Sequence, residues 1–204
     1  MQTGYALRDI ASTHARASVP ETTDEALITA IANGDKRAMQ VLYGRHNVRV
    51  YRFIVRLTGN TSTAEDLVSE VFLDVWRQAD AFEAKCQVST WLLAIARYKA
   101  LSALRRRSDE QLDDKIAATI EDPSDNAETI MYHKDRSALV QKALMQLSAA
   151  HREVIDLVYY HEKSVEEVAK IVGVPAATVK TRMFYARNKL QELLKQSGVY
   201  ALAS

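Results

Sequence analysis

Six side chains between residues 180 and 187 could contact nucleic acid: Lys180, Thr181, Arg182, Phe184, Tyr185 and Arg187. Lysine and arginine donate hydrogen bonds to guanine edges, and threonine or an aromatic ring can contact the methyl group of thymine. Apolar residues are interleaved with them at three- and four-residue spacing, which indicates a buried helical face made of Val179, Met183, Ala186, Leu190 and Leu193. The six side chains are therefore predicted on the outer face of a helix whose N-terminal half suits the major groove of duplex DNA.

The residues before this helix predict how it is positioned. Ser164 and Glu167 form an S-x-x-E capping box, which marks the start of a short helix. Gly173 predicts the end of that helix, and Pro175 suits the first turn of the next one. These signals together predict a helix-turn-helix from Ser164 to Leu190. The alternative is an ordinary helical hairpin whose basic face is merely solvated.

Composition limits the kind of protein this can be. The 204 residues include 27 Lys and Arg and 26 Asp and Glu, so the net charge of +1 gives no bulk attraction to phosphate. The charges are nevertheless segregated, because Arg105–Arg107 and the predicted recognition helix are basic whereas the stretch between them is acidic. A basic surface beside an acidic connector fits nucleic-acid binding better than the total charge suggests.

Several activities are not expected from this sequence. No apolar run approaches the roughly 18 residues of a membrane span, so no membrane insertion is expected. Cys86 is the single cysteine, which excludes an intrachain disulfide and favours a reducing, cytoplasmic location. No metal site, cofactor motif or catalytic constellation is found, and zinc-ligand spacing is absent among His14, His46, His133, His151 and His161. The chain is therefore not expected to be an enzyme.

The apolar pattern predicts an all-α chain with two small helical domains. A mobile tail (1–23) precedes the first domain (24–107), an acidic flexible linker (108–137) follows, and the helix-turn-helix domain (138–197) precedes a short tail (198–204).

Local spacing predicts two helical features of the first domain. Residues 48–57 could pass for a strand, but Arg49, Arg52 and Arg56 recur at three and four residues, which predicts a helix. Thr63, with Asp66 three residues later, predicts the start of the next helix.

An acidic row lies on that next helix. Asp66, Glu70 and Asp74 recur every four residues, opposite the apolar stripe that Leu67, Val71 and Val75 belong to. Like charges at this spacing destabilise an isolated helix slightly. The row is either a solvated face or a docking ridge for a basic partner.

A second set of candidate nucleic-acid contacts lies on the helix predicted to start near Ser89, and combines aromatic with cationic side chains: Trp91, Arg97, Tyr98, Lys99 and Arg105–Arg107. Aromatic rings interleaved with cations are used to hold unpaired bases. Trp91 equally suits a core position, and the arginines a solvated surface. For Tyr98 the core and base-contact interpretations both stay open.

Three passages carry a resemblance to a known family: Ala64–Trp76, Ser89–Arg107 and Val165–Leu190. Their order and spacing resemble the sigma-70 family of RNA polymerase sigma factors, in its small extracytoplasmic-function (ECF) subgroup, and the resemblance spans roughly Asp24 to Gln196. It implies a non-enzymatic promoter-specificity subunit that works bound to core RNA polymerase. It also implies that an anti-sigma factor holds the free protein inactive.

The resemblance implies a role for each candidate set. The helix end with Asp66, Glu70, Asp74 and Arg77 would bind core polymerase. The loop before Ser89 and the following helix would melt and capture the minus-ten promoter element, using Trp91, Arg97, Tyr98, Arg105 and Arg106. At the minus-thirty-five element, the residues facing the bases would be Lys180, Thr181, Phe184 and Tyr185. Arg182 and Arg187 would contact the phosphates of the same element. Tyr185 stands where many members carry arginine.

Two other functions are compatible with a helix-turn-helix. One is a sigma-like decoy that sequesters an anti-sigma factor, although the basic residues on both candidate surfaces argue against it. The other is a stand-alone regulator that binds an operator as a dimer, although the sequence shows no heptad seam for dimerisation.

Overall fold

The computed structural model describes residues 22–110 and 139–196, which form helices joined by short connections. The first domain contains α1 (Asp24–Ala32), α2 (Lys36–Thr58), α3 (Thr61–Gln78) and α4 (Val88–Glu110). The second contains α5 (residues 139–145), α6 (Ala149–Ile155), α7 (Val165–Val172) and α8 (Ala176–Gln196). No strand occurs in these two ranges, which confirms the all-α class there. The predicted tails and most of the predicted linker lie outside the described residues.

The first domain is a helical bundle with α2 at its centre. Helix α2 packs against α1, α3 and α4, and it buries Leu42, Val50, Phe53 and Ile54 almost completely. The buried positions of α2 recur at three- and four-residue spacing because one helical face points into the core. The helix prediction for residues 48–57 is therefore confirmed over the strand alternative.

Helix α3 begins earlier than the sequence suggested. Gly59 ends α2 in the left-handed conformation, with φ of 67°, and Asn60 follows in an extended conformation. The side chain of Asn60 accepts a hydrogen bond from the amide of Thr63 at 2.8 Å. The prediction that Thr63 starts the helix is wrong: Asn60 is the cap, and Thr63 lies in the first turn.

The second domain changes helical geometry after α6. Ser148 caps α6 as predicted, since its hydroxyl accepts a hydrogen bond from the amide of His151. Beyond Ile155 the chain forms a π-helical turn, Asp156–Tyr160, closed by a 3.2 Å bond from the amide of His161 to the carbonyl of Asp156. The turn leaves Asp156 buried and Tyr160 exposed. Turns of this kind re-aim side chains, and they often do so at functional sites.

The predicted helix-turn-helix is present. The hydroxyl of Ser164 accepts from the amide of Glu167, and the Glu167 carboxylate accepts from the amide of Ser164, which completes the capping box. Gly173 ends α7 with φ of 72°, a left-handed conformation that favours glycine. Pro175 immediately precedes α8, and its carbonyl accepts hydrogen bonds from the amides of Thr178 and Val179 in the first turn of that helix.

The two domains contact each other through α4 and α7. Thr90, in the first turn of α4, is buried against the second domain, and Lys163, just before α7, is buried against the first. The start of the minus-ten candidate helix therefore lies against the start of the helix-turn-helix.

Asn60 and Thr63 provide a direct test of which residue caps α3. We expect Asn60→Ala to lower the free energy of unfolding by about 1 kcal/mol, because an orphan amide loses its acceptor. Thr63→Ala is the matched control and should cost less, since the Thr63 side chain is not the acceptor. Urea unfolding followed by circular dichroism measures both, and equal losses in the two variants would contradict the assignment.

Candidate nucleic-acid interface

The outer face of α8 presents most of the predicted minus-thirty-five residues to solvent. Phe184 is 55% exposed and Tyr185 57% exposed, and Lys180, Thr181 and Arg187 are exposed as well. The two neighbouring rings form a contiguous exposed apolar patch, and such patches can mark interaction sites. The opposite face buries Val179, Met183 and Ala186 as predicted, so α8 is held by its apolar stripe while its donors stay accessible.

Contacts within α8 differ among these residues. The rings of Phe184 and Tyr185 meet edge to face with centroids 5.5 Å apart. The hydroxyl of Thr181 donates to the carbonyl of Ala177 at 3.0 Å, and Nε of Arg187 donates to the carbonyl of Met183 at 3.3 Å. Arg182 is only half-exposed, which places it on the flank of the helix. The helix therefore offers one lysine, one threonine and two rings at its front and an arginine at its side.

The predicted minus-ten residues do not form one surface. Trp91 is half-buried and packs against Phe82 with ring centroids 5.0 Å apart, which agrees with the core interpretation of Trp91. Tyr98 is 67% exposed, so the core interpretation of Tyr98 is wrong. Arg105 and Arg106 are exposed further along the same helix. Tyr98 and Arg105 are seven residues apart, two turns of helix, and so share one face.

Arg97 differs from these exposed residues because its side chain forms an ion pair within the chain. Its Nε donates to Oε1 of Glu153 at 2.6 Å, and Nη2 lies 3.3 Å from Oε2 of the same carboxylate. Glu153 belongs to α6, in the other domain. The two-point contact is the strong geometry for a guanidinium and a carboxylate.

The acidic row on α3 is partly engaged in ion pairs within the chain and partly exposed to solvent. Nζ of Lys99, on α4, lies 2.7 Å from a carboxylate oxygen of Asp74 and 3.2 Å from one of Glu70. Asp74 also lies 3.9 Å from Arg77, whereas Asp66 is exposed and makes no ion pair within the described residues. The hydrogen bond that Lys99 donates to Asp74 outweighs the effect of burial and, helped by the hydrogen bond to Glu70, raises the pKa of Lys99. Sequence reasoning placed Lys99 among candidate nucleic-acid contacts and missed its role as counter-ion.

A second polar cluster joins the two domains and was also missed. Nζ of Lys163 donates to Oγ of Ser89 at 2.6 Å, to Gln87 at 3.1 Å and to Glu167 at 3.2 Å. The Thr90 hydroxyl donates to the same Glu167 oxygen at 2.5 Å. Burial alone would raise the pKa of Glu167, but the hydrogen bonds from Thr90, Ser164 and Lys163 prevail and lower it to about 2. Glu167 therefore caps α7 and binds α4 as a carboxylate.

The described ranges hold neither a cluster of metal ligands nor a membrane span. No group of three or more potential metal ligands occurs in residues 22–110 and 139–196. Within the same ranges, none of the helices combines the length and apolarity that a bilayer span requires. His46 lies 2.5 Å from Asp24 and His161 lies 3.3 Å from Asp156, so both histidines have structural carboxylate neighbours.

Two family models match the chain, Sigma-70 region 2 over residues 42–110 and Sigma-70, region 4 over residues 143–192. The ECF RNA polymerase sigma factor SigL of Mycobacterium tuberculosis is 30% identical over 179 residues, covering 85% of this chain and 98% of the relative. The ECF RNA polymerase sigma factor SigW of Bacillus subtilis is 28% identical over 177 residues, covering 82% of this chain and 95% of the relative.

Solved structures give the same fold. CnrH in complex with the cytosolic domain of CnrY has a TM-score of 0.64 at 24% identity, covering 85% of this chain and 97% of that one. The sigma factor RpoE in complex with the anti-sigma factor NepR from Bartonella quintana has a TM-score of 0.60 at 30% identity, covering 76% and 96%.

The Glu167 carboxylate predicts a pH-dependent stability. Its folded pKa of about 2 lies below the ordinary 4.5, so its stabilising contribution is complete above about 4.5 and is lost as the pH falls towards 2. We expect Glu167→Gln to cost about 2 kcal/mol at pH 7, because the partners lose a charged acceptor. The difference from wild type should shrink in urea titrations below pH 4.5.

Glu166→Gln is the matched control, since Glu166 is exposed on the same helix. It should leave stability nearly unchanged at every pH. A Glu167→Gln deficit that stays constant from pH 7 to pH 3 would contradict the assigned role of the carboxylate.

Proposed function

The chain belongs to the ECF subgroup of the sigma-70 family of RNA polymerase sigma factors, and from this premise we propose that it binds core RNA polymerase and directs transcription initiation at specific promoters. The observation that carries the proposal is the outer face of α8, where lysine, threonine and aromatic side chains stand exposed on a helix-turn-helix. Such a face reads the major groove, and the companion domain supplies a second candidate DNA surface.

For the minus-thirty-five element, the proposal assigns base contacts to Lys180, Thr181, Phe184 and Tyr185. All are exposed on the front of α8, and Tyr185 is open enough for its ring to contact a thymine methyl. Arg182 and Arg187 are assigned to phosphates. The half-exposed, lateral position of Arg182 supports a backbone contact, which fixes register without reading sequence.

For the minus-ten element, the proposal rests on the exposed face of α4. Tyr98 supplies a ring on which an unpaired base can stack, and Arg105 and Arg106 supply phosphate contacts further along the helix. Trp91 has a less direct role, because its contact with Phe82 holds the loop before α4 in place. Arg97 can contact DNA only when Glu153 releases it.

For core polymerase, the acidic row divides into two parts. Asp66 is exposed and unpaired within the described residues, so it can pair with a basic partner without losing an existing contact. Glu70 and Asp74 are already bound to Lys99, which orients both carboxylates along one ridge. We assign direct docking to Asp66 and to Arg77, and we assign Lys99 the role of positioning the other two carboxylates.

An anti-sigma factor is the remaining proposed partner. The relative RpoE, 30% identical to this chain, was solved in complex with the anti-sigma factor NepR. This likeness supports regulation of the present chain by a protein of the same class. The decoy alternative has no supporting observation, because the candidate DNA surface on α8 is complete and exposed.

Run-off transcription with sigma-free core polymerase tests the proposal on genomic promoter fragments, including the fragment upstream of the protein's own gene. We expect discrete start sites from the wild-type chain. Lys180→Ala should weaken promoter binding by about 1–3 kcal/mol, because it removes a base contact, and should leave core binding intact. Lys195→Ala, exposed in the last turn of α8, is its control and should transcribe normally.

Asp66→Ala should show the opposite pattern, with core binding weakened and no change in promoter preference. Glu25→Ala, an exposed carboxylate on α1, is its control. Co-sedimentation with core polymerase separates the two effects. A chain that fails to bind core polymerase at all would sink the proposal and leave the decoy and operator-binding functions to be tested.

A further inference from the structure

One side of α2 is exposed along most of the helix, although its other side forms the centre of the first domain. Arg37, Val41, Arg45, Val48 and Arg52 recur at spacings of four, four, three and four residues, which places them together on that side. Val41 is 44% exposed and Val48 is 57% exposed. We call these five residues the basic ridge, which extends about 22 Å along the helix at 1.5 Å per residue.

The charge of the basic ridge is not balanced on its own helix. Residues Lys36–Thr58 contain neither Asp nor Glu. Arg45 is paired with Asp24 at 2.9 Å, whereas Arg37 and Arg52 make no ion pair within residues 22–110 and 139–196. The valines between these cations suit the apolar side chains of a protein, which a phosphate backbone does not supply. The basic ridge therefore fits an acidic protein surface better than a nucleic acid.

Gly44 lies beside the basic ridge, between Val41 and Val48. A glycine within a helix is destabilising relative to alanine. A Cβ atom at Gly44 would meet nothing within 4 Å, so packing inside this chain does not require glycine there. On an exposed helical face, the missing side chain lets another helix or a long side chain approach closely. A contact with another molecule would explain this glycine.

Helix α3 carries a face of complementary composition. Asp66, Glu70, Leu73 and Arg77 recur at spacings of four, three and four residues, and they form one exposed face that we call the α3 ridge. Leu73 is 52% exposed, and Glu70 keeps 51% of its side chain exposed beside Lys99. An apolar centre with a charged rim is the usual composition of a protein interface. The leucine and carboxylates of the α3 ridge match the valines and arginines of the basic ridge.

We propose that the protein self-associates, with the basic ridge of one chain packed against the α3 ridge of a second copy. The net charge of +1 means that two copies hardly repel each other. The contact joins two different surfaces, so further copies can add at either end. Two helices of this length bury less than the roughly 800 Å² per partner of a standard interface, and we expect a dissociation constant on the order of 100 µM.

Like charges decide the relative direction of the two helices. Leu73 and Val48 are central apolar residues of the two ridges, and we place them together. An antiparallel crossing then sets Arg77 beside Gly44, because each lies four residues from the central pair. A parallel crossing would set Arg77 beside Arg52, where two cations repel. The antiparallel crossing instead directs Arg52 towards the carboxylates of the other helix.

Self-association covers part of the surface that the proposed function assigns to core polymerase, and this consequence rests on that function. Asp66 and Arg77 cannot contact a second copy and the polymerase at the same time. Core polymerase in excess should therefore dissociate the assembly.

Sedimentation velocity of the full-length chain measures the association. The average mass should rise between about 5 and 200 µM, and should rise less at high salt. Arg49→Glu combined with Arg52→Glu should remove this increase, because it reverses exposed charges on and beside the basic ridge. Asp66→Arg combined with Leu73→Ser should remove it as well. An equimolar mixture of the two variants should associate again, because the first keeps the α3 ridge and the second keeps the basic ridge.

Lys142→Glu combined with Lys195→Glu is the matched control, since both lysines are exposed in the second domain and the change in net charge is the same. This control should associate like wild type. Circular dichroism checks that each variant folds, and Val48→Ser is the milder change should a double reversal prevent folding. A chain that stays monomeric throughout, or association that survives both reversals, would overturn the proposal. Loss of duplex binding in the Arg49 and Arg52 variant would then assign the basic ridge to nucleic acid.

Gly44 tests the direction of the crossing. Gly44→Glu should tighten self-association about threefold, because its carboxylate lies beside Arg77 of the other copy, and Gly44→Arg should weaken it about threefold. The two new residues have similar helix propensities, so a difference between the variants reports the charge. The opposite order of affinities would overturn the antiparallel crossing.

Failure of the proposed function gives a different result. Donor and acceptor dyes on Cys86, the single cysteine, report self-association by energy transfer without any polymerase. A chain that does not bind core polymerase should still show this transfer. Transfer that persists while core polymerase is bound would contradict the shared surface, and absent transfer would overturn self-association whether or not the chain directs transcription.

Discussion

Burial of Glu153 and Asp156 fixes how the two domains lie against each other. A carboxylate with 7% of its side chain exposed has lost most of its hydration, and only a close cation with good geometry can replace it. Each finds an arginine of the first domain, Arg97 and Arg56, through a contact of 2.6 or 2.7 Å. Apolar contact accompanies these pairs, since the ring of Phe53 meets that of His161 with centroids 5.3 Å apart. The ion pairs therefore help to specify the arrangement, and they stabilise it less than their number suggests.

Glu167 takes part both in the contact between the domains and in the capping box of the helix-turn-helix. One carboxylate oxygen accepts from the amide and hydroxyl of Ser164, within the capping box, and the other accepts from Thr90 and Lys163. The capping bonds are local, three residues apart, and involve no residue of the first domain. Helix α7, its glycine stop at Gly173 and the packing of α8 on α7 are consequently specified within the second domain.

Features specified within a few residues were predictable from sequence, and those specified across the chain were not. The capping box at Ser164, the stop at Gly173 and the apolar stripe of α8 each have a local signature, and the structure shows all three. At the start of α3 two acceptors compete within one turn, and only the extended backbone of Asn60 identifies the cap. The pairings of Arg97 with Glu153 and of Lys99 with Asp74 join residues 56 and 25 positions apart. Nothing in either neighbourhood distinguishes these cations from solvated ones.

The two candidate DNA surfaces are exposed to very different degrees. On α8 the front residues Lys180, Phe184 and Tyr185 are all exposed, while on α4 coverage is confined to the N-terminal half, at Thr90 and Arg97. Tyr98, Arg105 and Arg106 are exposed, so α4 also presents cations that attract any phosphate backbone. Contact of DNA with the front of α8 therefore needs no rearrangement of this structure, whereas contact with Thr90 or Arg97 would require Glu167 or Glu153 to give up a hydrogen bond.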